Sequence, residues 1–332
     1  MVLLLAGAQA IDYLGDDYVG SESGDVDYLS GKHPWPWHIS FCGDLGTPCS
    51  SRLFYRISSS GVALCFARAD IVGHPKPQSV YRRVLWGVQP MGMLVHGPTA
   101  HPELPAPWQP EAFNWDWPME LESWSWHGAE GSPVGVRVFA RGCQSARLTL
   151  DGKTLATAQV NSSNLTATFV VPYAPGTLQA LCVNGSSVVP AINATLKTAG
   201  AAAALQLSAD RSSIRQDPND LAYVTVTVVD TAGVVVPTAA RNLTLHATGA
   251  GHIEAVGSGD PSDPGSFTAA SSANPPSTMA FRTTWRGRAL AILRPTVASA
   301  VVEQAGQQAA TITLTATVPG LKGAQTVISL TE

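Results

Sequence analysis

The side chains that could do chemistry are few, and they are poorly grouped. Eight histidines are scattered along the chain, and none stands beside a cysteine or a carboxylate at ligand spacing. The five cysteines, Cys42, Cys49, Cys65, Cys143 and Cys182, show no C-x-x-C spacing, so they do not build a zinc site. An odd count leaves one thiol over unless it pairs between chains. No serine lies in a G-x-S-x-G elbow, which argues against an α/β-hydrolase nucleophile. Carboxylates crowd one stretch, Asp12, Asp16, Asp17, Glu22 and Asp25, while Glu120, Glu122 and Glu130 surround Trp124 and Trp126 as surface or turn residues. GSGDPSDPGSF, around Asp260, is rich in Gly and Asp, but its spacing fits no calcium loop and it reads as a turn. No metal and no cofactor are expected.

The elements that must carry these residues are mostly strands. The chain has 332 residues, 45% of them hydrophobic and only 13% charged, with 30 Gly and 24 Pro. Charge at about half the usual ~25% share excludes a charged disordered chain, a long coiled coil and a basic nucleic-acid arm. With 20 basic and 24 acidic residues the net charge is −4, and no electrostatic partner is implied. MVLLLAGAQA is too short for a membrane span of ~20 residues and lacks the basic start of a secretion signal; it reads as a buried strand. Sequons begin at Asn161, Asn164, Asn184, Asn193 and Asn242, which leans the localisation toward an extracellular or periplasmic setting without fixing it. The sequence fixes no oligomeric state.

One segment has helical periodicity. KPQSVYRRVLWG puts Val80, Tyr81, Val84 and Leu85 on one face, with Pro77 suited to the first turn and Gly87 to the stop. The Pro-rich stretch that follows carries Trp108, Trp115 and Trp117, and reads as a connector docked on a surface, because three indoles are costly to leave in water. From Trp124 onward the period is two. Val134, Val136, Val138 and Ala140 share one face of VGVRVFA, and RLTL-DG-KTLATA is a hairpin whose Asp151-Gly152 supplies positive backbone angles. ATFVVP and TLQALCV complete a first unit near Gly200, and Cys143 and Cys182 are expected on neighbouring strands there, close enough to bridge. After an Ala-rich joint at Ala201 to Ala204, the strands YVTVTVVD, NLTLHAT, RALAILRP and TITLTATV, with turns at DTAG and GAGH, form a second unit. Strands at this spacing without intervening helices mean two β-sandwiches.

AIDYLGDD, WPWHISFCGD and DIVGHPKPQSVYRRVLWG, in that order, resemble the end of the catalytic barrel in glycoside hydrolase family 2. The similarity is to the β-galactosidase-like branch with additional C-terminal β domains. There the last barrel strand ends in W-T-x-x-D-Y-L-G-E, and C-G-D-x-D-x-x-G-x-x-K-P-Q-S-x-Y leads into the last helix. ELESWSWHGAEGSPVGVRVFARGCQSARLTLDGKTL resembles that branch's first sandwich, and ADRSSIRQDPNDLAYVTVTVVDTAGVVVP with TTWRGRALAILRP its terminal one. The resemblance implies a mainly β chain: the C-terminal remnant of a (β/α)8 barrel over residues 1–87, then immunoglobulin-like β-sandwiches over 88–200 and 201–332.

The function it implies is retaining hydrolysis of terminal β-linked sugars, with carbohydrate as partner and neither nucleic acid nor membrane involved. That chemistry needs two carboxylates facing one glycosidic bond. In the family they come from strands preceding the DYLG strand, so these residues are expected to lack both, and the crowded acids from Asp12 to Asp25 do not replace them. What the resemblance leaves of a substrate site is Asp12 and Tyr13 at the strand end, with Trp35 and Trp37 on the rim loop. Tyrosine and tryptophan faces stack on sugars and Asp12 accepts a hydroxyl; packing of the Trp pair against the next sandwich is the other reading. The motif's Trp is replaced by Ala8 and its Glu by Asp16. CGDL and DIVG are also separated by LGTPCSSRLFYRISSSGVALCFARA, so Gly46 to Ala69 is either a spurious insertion or a native loop. The rival function is a non-enzymatic carbohydrate-binding or adhesive pair of sandwiches.

Overall fold

The computed structural model describes residues 69–77, 79–98, 120–260, 263, 265–268, 278–296 and 310–331. Asp12, Tyr13, Trp35, Trp37, residues 46–68 and the Trp108, Trp115 and Trp117 connector lie outside the described residues.

The helix expected after Pro77 is α1 (Ser79–Leu85). Gly87, at φ +74°, closes it: Gly87 N–H donates to Val84 C=O and Val88 N–H to Arg83 C=O, the two bonds of a Schellman stop. Val80 and Val84 are fully buried on the outer face of the next strand, β1 (Met91–His96), together with Leu94 and Phe139. The sequence reading had placed no strand at MGMLVH, and the packing explains why. Met91, Met93 and Val95 face a sandwich core while Leu94 faces α1, so the strand is apolar on both sides and shows no alternation.

β2 (Pro133–Ala140) buries Val134, Val136, Val138 and Ala140 as its alternation dictates, and pairs antiparallel with β1 and with β5 (Thr166–Pro172). The facing sheet contains β3 (Ser145–Leu150), β4 (Lys153–Gln159), β6 (Thr177–Asn184) and β7 (Ser187–Lys197), in the order β4-β3-β6-β7. Asp151 and Gly152, at φ +48° and +79°, form the expected β3–β4 turn. Cys143 and Cys182 are bonded, with Cα atoms 5.5 Å apart. The expectation of neighbouring strands is corrected: Cys143 lies in the connector between β2 and β3, and Cys182 lies on β6, the partner of β3, so the bond ties that crossover to β6.

The second core lies between two further sheets. One holds β8 (Ala204–Ala209), β10 (Ala222–Val229), β12 (Gly251–Gly257) and β14 (Arg288–Pro295), in the order β12-β14-β10-β8. The other holds β9 (Ser213–Arg215), β11 (Asn242–Gly249), β13 (Met279–Thr283), β15 (Thr311–Thr317) and β16 (Ala324–Thr331), in the order β13-β11-β15-β16-β9. All their pairings are antiparallel except β16 with β9. Val224, Val226, Leu243, Leu245, Leu293 and Leu314 fill the space between them. Ala204, assigned to the joint, already begins β8, and GAGH is a turn only in part, since His252 belongs to β12. The described chain is therefore mainly β and built of β-sandwiches, and no barrel strand lies among the described residues.

Candidate functional site

The expected substrate residues Asp12, Tyr13, Trp35 and Trp37 lie outside the described residues, so the structure neither assembles nor separates them. What it does assemble is a cleft at the meeting of three local structures, each fixed by identifiable bonds.

The first wall is the W-x-W segment before β2. Trp124 is fully buried, donates its indole N–H to Ala174 C=O at 2.9 Å and meets the Tyr173 ring edge-on at 5.0 Å. Tyr173 in turn accepts the Trp126 backbone N–H through its phenol oxygen, at 3.1 Å. The same segment clamps the link between the sandwiches. Thr198 Oγ1 donates to Trp124 C=O at 2.7 Å, and Ala199 N–H to Ser125 Oγ at 2.9 Å. Gly200 N–H then donates to Asp230 Oδ2 at 2.7 Å, which carries the link onto the second sandwich. Asp230 also accepts Ala232 and Val234 N–H groups. The Gly200 bond leads in holding its carboxyl below the usual range; burial opposes this, and the remaining amide bonds add to it.

The second wall is the turn preceding α1. Asp70 Oδ1 accepts the Val72 and His74 N–H groups at 3.0 and 2.8 Å, and Asp70 Oδ2 lies 3.5 Å from His74 Nδ1, so a histidine does pair with a carboxylate four residues away, contrary to the sequence expectation. Burial pushes the Asp70 carboxyl up, but the His74 interactions and these backbone bonds outweigh it and hold it low. His74 Nε2 reaches Thr225 Oγ1 on β10, at 3.4 Å, so the turn is tied to the second sandwich.

The third wall is the β13–β14 hairpin turn. Trp285 and Arg288 exchange both backbone hydrogen bonds at 2.8 Å around Arg286, at φ +49°, and Gly287, at φ +71°. A Cβ on Gly287 would meet Val236 C=O at 2.4 Å, so only glycine fits there.

The cleft between these walls has a volume of about 420 Å³, within the ~300–1,000 Å³ of small-ligand sites. Trp126, Trp285, Pro77 and Leu121 give it apolar surface, and Asp70, Lys76, Glu122, Arg286 and Arg288 give it charge. Its acids are engaged: Asp70 in its own turn, and Glu122 with Arg83 at 3.4 Å. Among the described residues that line it, no opposed pair of unengaged carboxylates is found. Glu120, expected at the surface, is instead buried and takes Arg137 in a bidentate pair at 2.6 and 2.5 Å; burial nonetheless leaves its carboxyl above the usual range. Among the described residues, no group of three His, Cys, Asp or Glu could hold a metal, and no helix is long and apolar enough to cross a membrane. Sequence reasoning missed Trp285 and Arg288 as lining residues; the only local signal was the R-G turn dipeptide.

Residues 205–327 match glycoside hydrolase family 2 C-terminal domain 5. A glycosyl hydrolase family 2 member from Bacteroides cellulosilyticus superposes at a TM-score of 0.67 and 29% identity, over 89% of this chain and 34% of its own. Residues 205–327 therefore carry a C-terminal domain of glycoside hydrolase family 2, and the chain is similar to the C-terminal part of that family's members. Within these family 2 domains, residues 131–189 also match a domain of unknown function, DUF4982. Beta-galactosidase BoGH2A of Bacteroides ovatus is 28% identical over 136 residues, 41% of this chain and 16% of that protein. A beta-glycosidase from Bacteroides vulgatus shares the fold at a TM-score of 0.59, with 18% identity, over 80% of this chain and 28% of its own. The chain thus spans about a third of the length of these solved relatives and 16% of the curated one.

Proposed function

We propose that these residues form the C-terminal part of a retaining exo-β-glycosidase of the β-galactosidase type, acting on terminal β-linked sugars. In this reading residues 1–87 are the last strand, rim loop and helix of a (β/α)8 barrel, and 88–200 and 201–332 are immunoglobulin-like sandwiches. The observation that carries it is the docking of α1. The helix that follows the KPQS motif buries Val80 and Val84 on β1 and β2, and the turn before it reaches Thr225 through His74. A barrel's last helix fastened in this way would hold the barrel rim in register with both sandwiches.

Asp12 and Tyr13, with Trp35 and Trp37, would contribute sugar contacts at that rim, with carbohydrate as substrate and no cofactor. The acid/base and nucleophile carboxylates would be supplied by barrel strands not represented among these 332 residues. Gly46 to Ala69 would be an insertion relative to the family pattern, spurious or native. The transcript that encodes residue 1 tests the whole reading. A continuous upstream frame with two Glu-bearing barrel strands supports it, and a stop or an unrelated domain there refutes it.

A further inference from the structure

We propose that the cleft between the W-x-W segment, the Asp70–Pro75 turn and the β13–β14 hairpin binds an acidic saccharide, a sugar ring bearing a carboxylate. This goes beyond the glycosidase reading and does not depend on it.

Three observations carry it. The first is an unmatched cation. Arg288 lines the cleft and is half-buried, and its guanidinium has no hydrogen bond or ion pair with any described residue. The acids sharing the cleft do not serve it, because Asp70 is held by its own turn and by His74, and Glu122 by Arg83. A planar guanidinium left with its fork open matches a carboxylate bidentately.

The second is the carbon surface beside that cation. Trp285 is partly exposed, yet its indole nitrogen is buried, so the part of the ring left accessible is carbon. The half-buried Pro77 and Pro237 extend this surface. A bare anion needs no such wall, whereas a pyranose uses one for its apolar face while its hydroxyls meet polar groups such as Ser123 and Thr238 on the same cleft.

The third is backbone strain at the turn that presents both residues. Arg286 is held at φ +49°, a conformation that Asn, Asp or Gly adopt at lower cost. The two backbone bonds between Trp285 and Arg288 hold the turn in that form. An off-preference residue kept in place by its surroundings is the pattern found where a turn serves a ligand.

The test is calorimetric titration of the whole chain with methyl α-D-galacturonide, methyl α-D-galactoside and acetate. The first two differ only at C6, carboxylate against hydroxymethyl; acetate has the carboxylate without the ring. The galacturonide should bind saturably and about tenfold or more tightly than either control. Arg288→Gln should remove about that factor for the galacturonide and leave galactoside binding unchanged, while Arg288→Lys, keeping charge without the fork, should fall between. Trp285→Ala should weaken both sugars, with the far-UV spectrum and melting temperature of each variant checking the fold. The assignment is overturned if wild-type protein shows no saturable galacturonide binding, if acetate binds as tightly, or if folded Arg288→Gln and Arg288→Lys both bind as wild type does.

Discussion

A Cβ built on Gly92 would stand 2.3 Å from Val80 Cγ1. Helix α1 therefore rests on β1 at a point where β1 has no side chain, and the fully buried Val80 fills the space a side chain would need. Val80 is β-branched and stiff, so it cannot swing away cheaply. Gly92→Ala should destabilise the protein by about 1–3 kcal/mol through overpacking. Adding Val80→Ala should cost less in that background than in the wild type. A double-mutant cycle of denaturant unfolding checks the sign of this coupling.

The Cys143–Cys182 bond closes a separation of 39 residues between the β2–β3 connector and β6. On the chain-entropy account, a loop of that length stabilises by about 3–4 kcal/mol. Cys143→Ala with Cys182→Ala should lower the midpoint of unfolding of this sandwich and abolish the effect of dithiothreitol on it. A melting temperature equally sensitive to reductant in the double variant would show that another thiol pair is responsible.

Glu120 is buried and relies on Arg137, the guanidinium of which also lies 5.3 Å from the Phe139 ring. Arg137→Leu leaves that carboxyl without its counter-charge, a change expected to cost about 3–5 kcal/mol at neutral pH. Because burial raises the folded-state pKa of Glu120, the folded state keeps the proton longer. The stability from this group is present below the unfolded carboxylate pKa and is lost as pH rises through the folded one. Without Arg137 that loss should deepen and extend to higher pH. Unfolding free energies of wild type and variant between acid and neutral pH measure it.

Asp230 and Asp70 have the opposite sign. Both are held below the usual carboxylate range, so their contribution is present above the unfolded pKa and disappears as pH falls through the folded one. Asp230→Asn should flatten the acid limb of the stability curve. Asp230→Ala should also orphan the Gly200, Ala232 and Val234 amides, at about 1–3 kcal/mol. Faster hydrogen exchange at those three amides is the measurement.

Where one face of an element met solvent, the sequence showed it. Val134, Val136 and Val138 alternate with the less buried Gly135 and Arg137, and the Asp151-Gly152 turn and the α1 stop follow from local backbone chemistry. β1 escaped notice because α1 covers its outer face and removes the alternation. β16 escaped because Val327 points to solvent while Ala324 and Thr326 point inward, so its apolar pattern is weak at the start. Beyond the R-G turn dipeptide the cleft had no local signature. Asp70, Trp126 and Arg288 come together only through the crossing of the linker and the docking of the turn, and neither is written in any short window. The family resemblance was legible because its motifs are short and ordered, whereas the substrate residues it implies lie outside the described residues.

The proposed function makes these residues the C-terminal part of a glycosidase that cleaves no sugar on its own. The most direct measurement is the turnover of a chromogenic β-galactoside by the purified 332-residue chain. The expected rate does not exceed the uncatalysed background, since among the described residues no opposed pair of unengaged carboxylates lines the cleft. Sustained hydrolysis that disappears on Asp12→Ala or Glu22→Ala would contradict it.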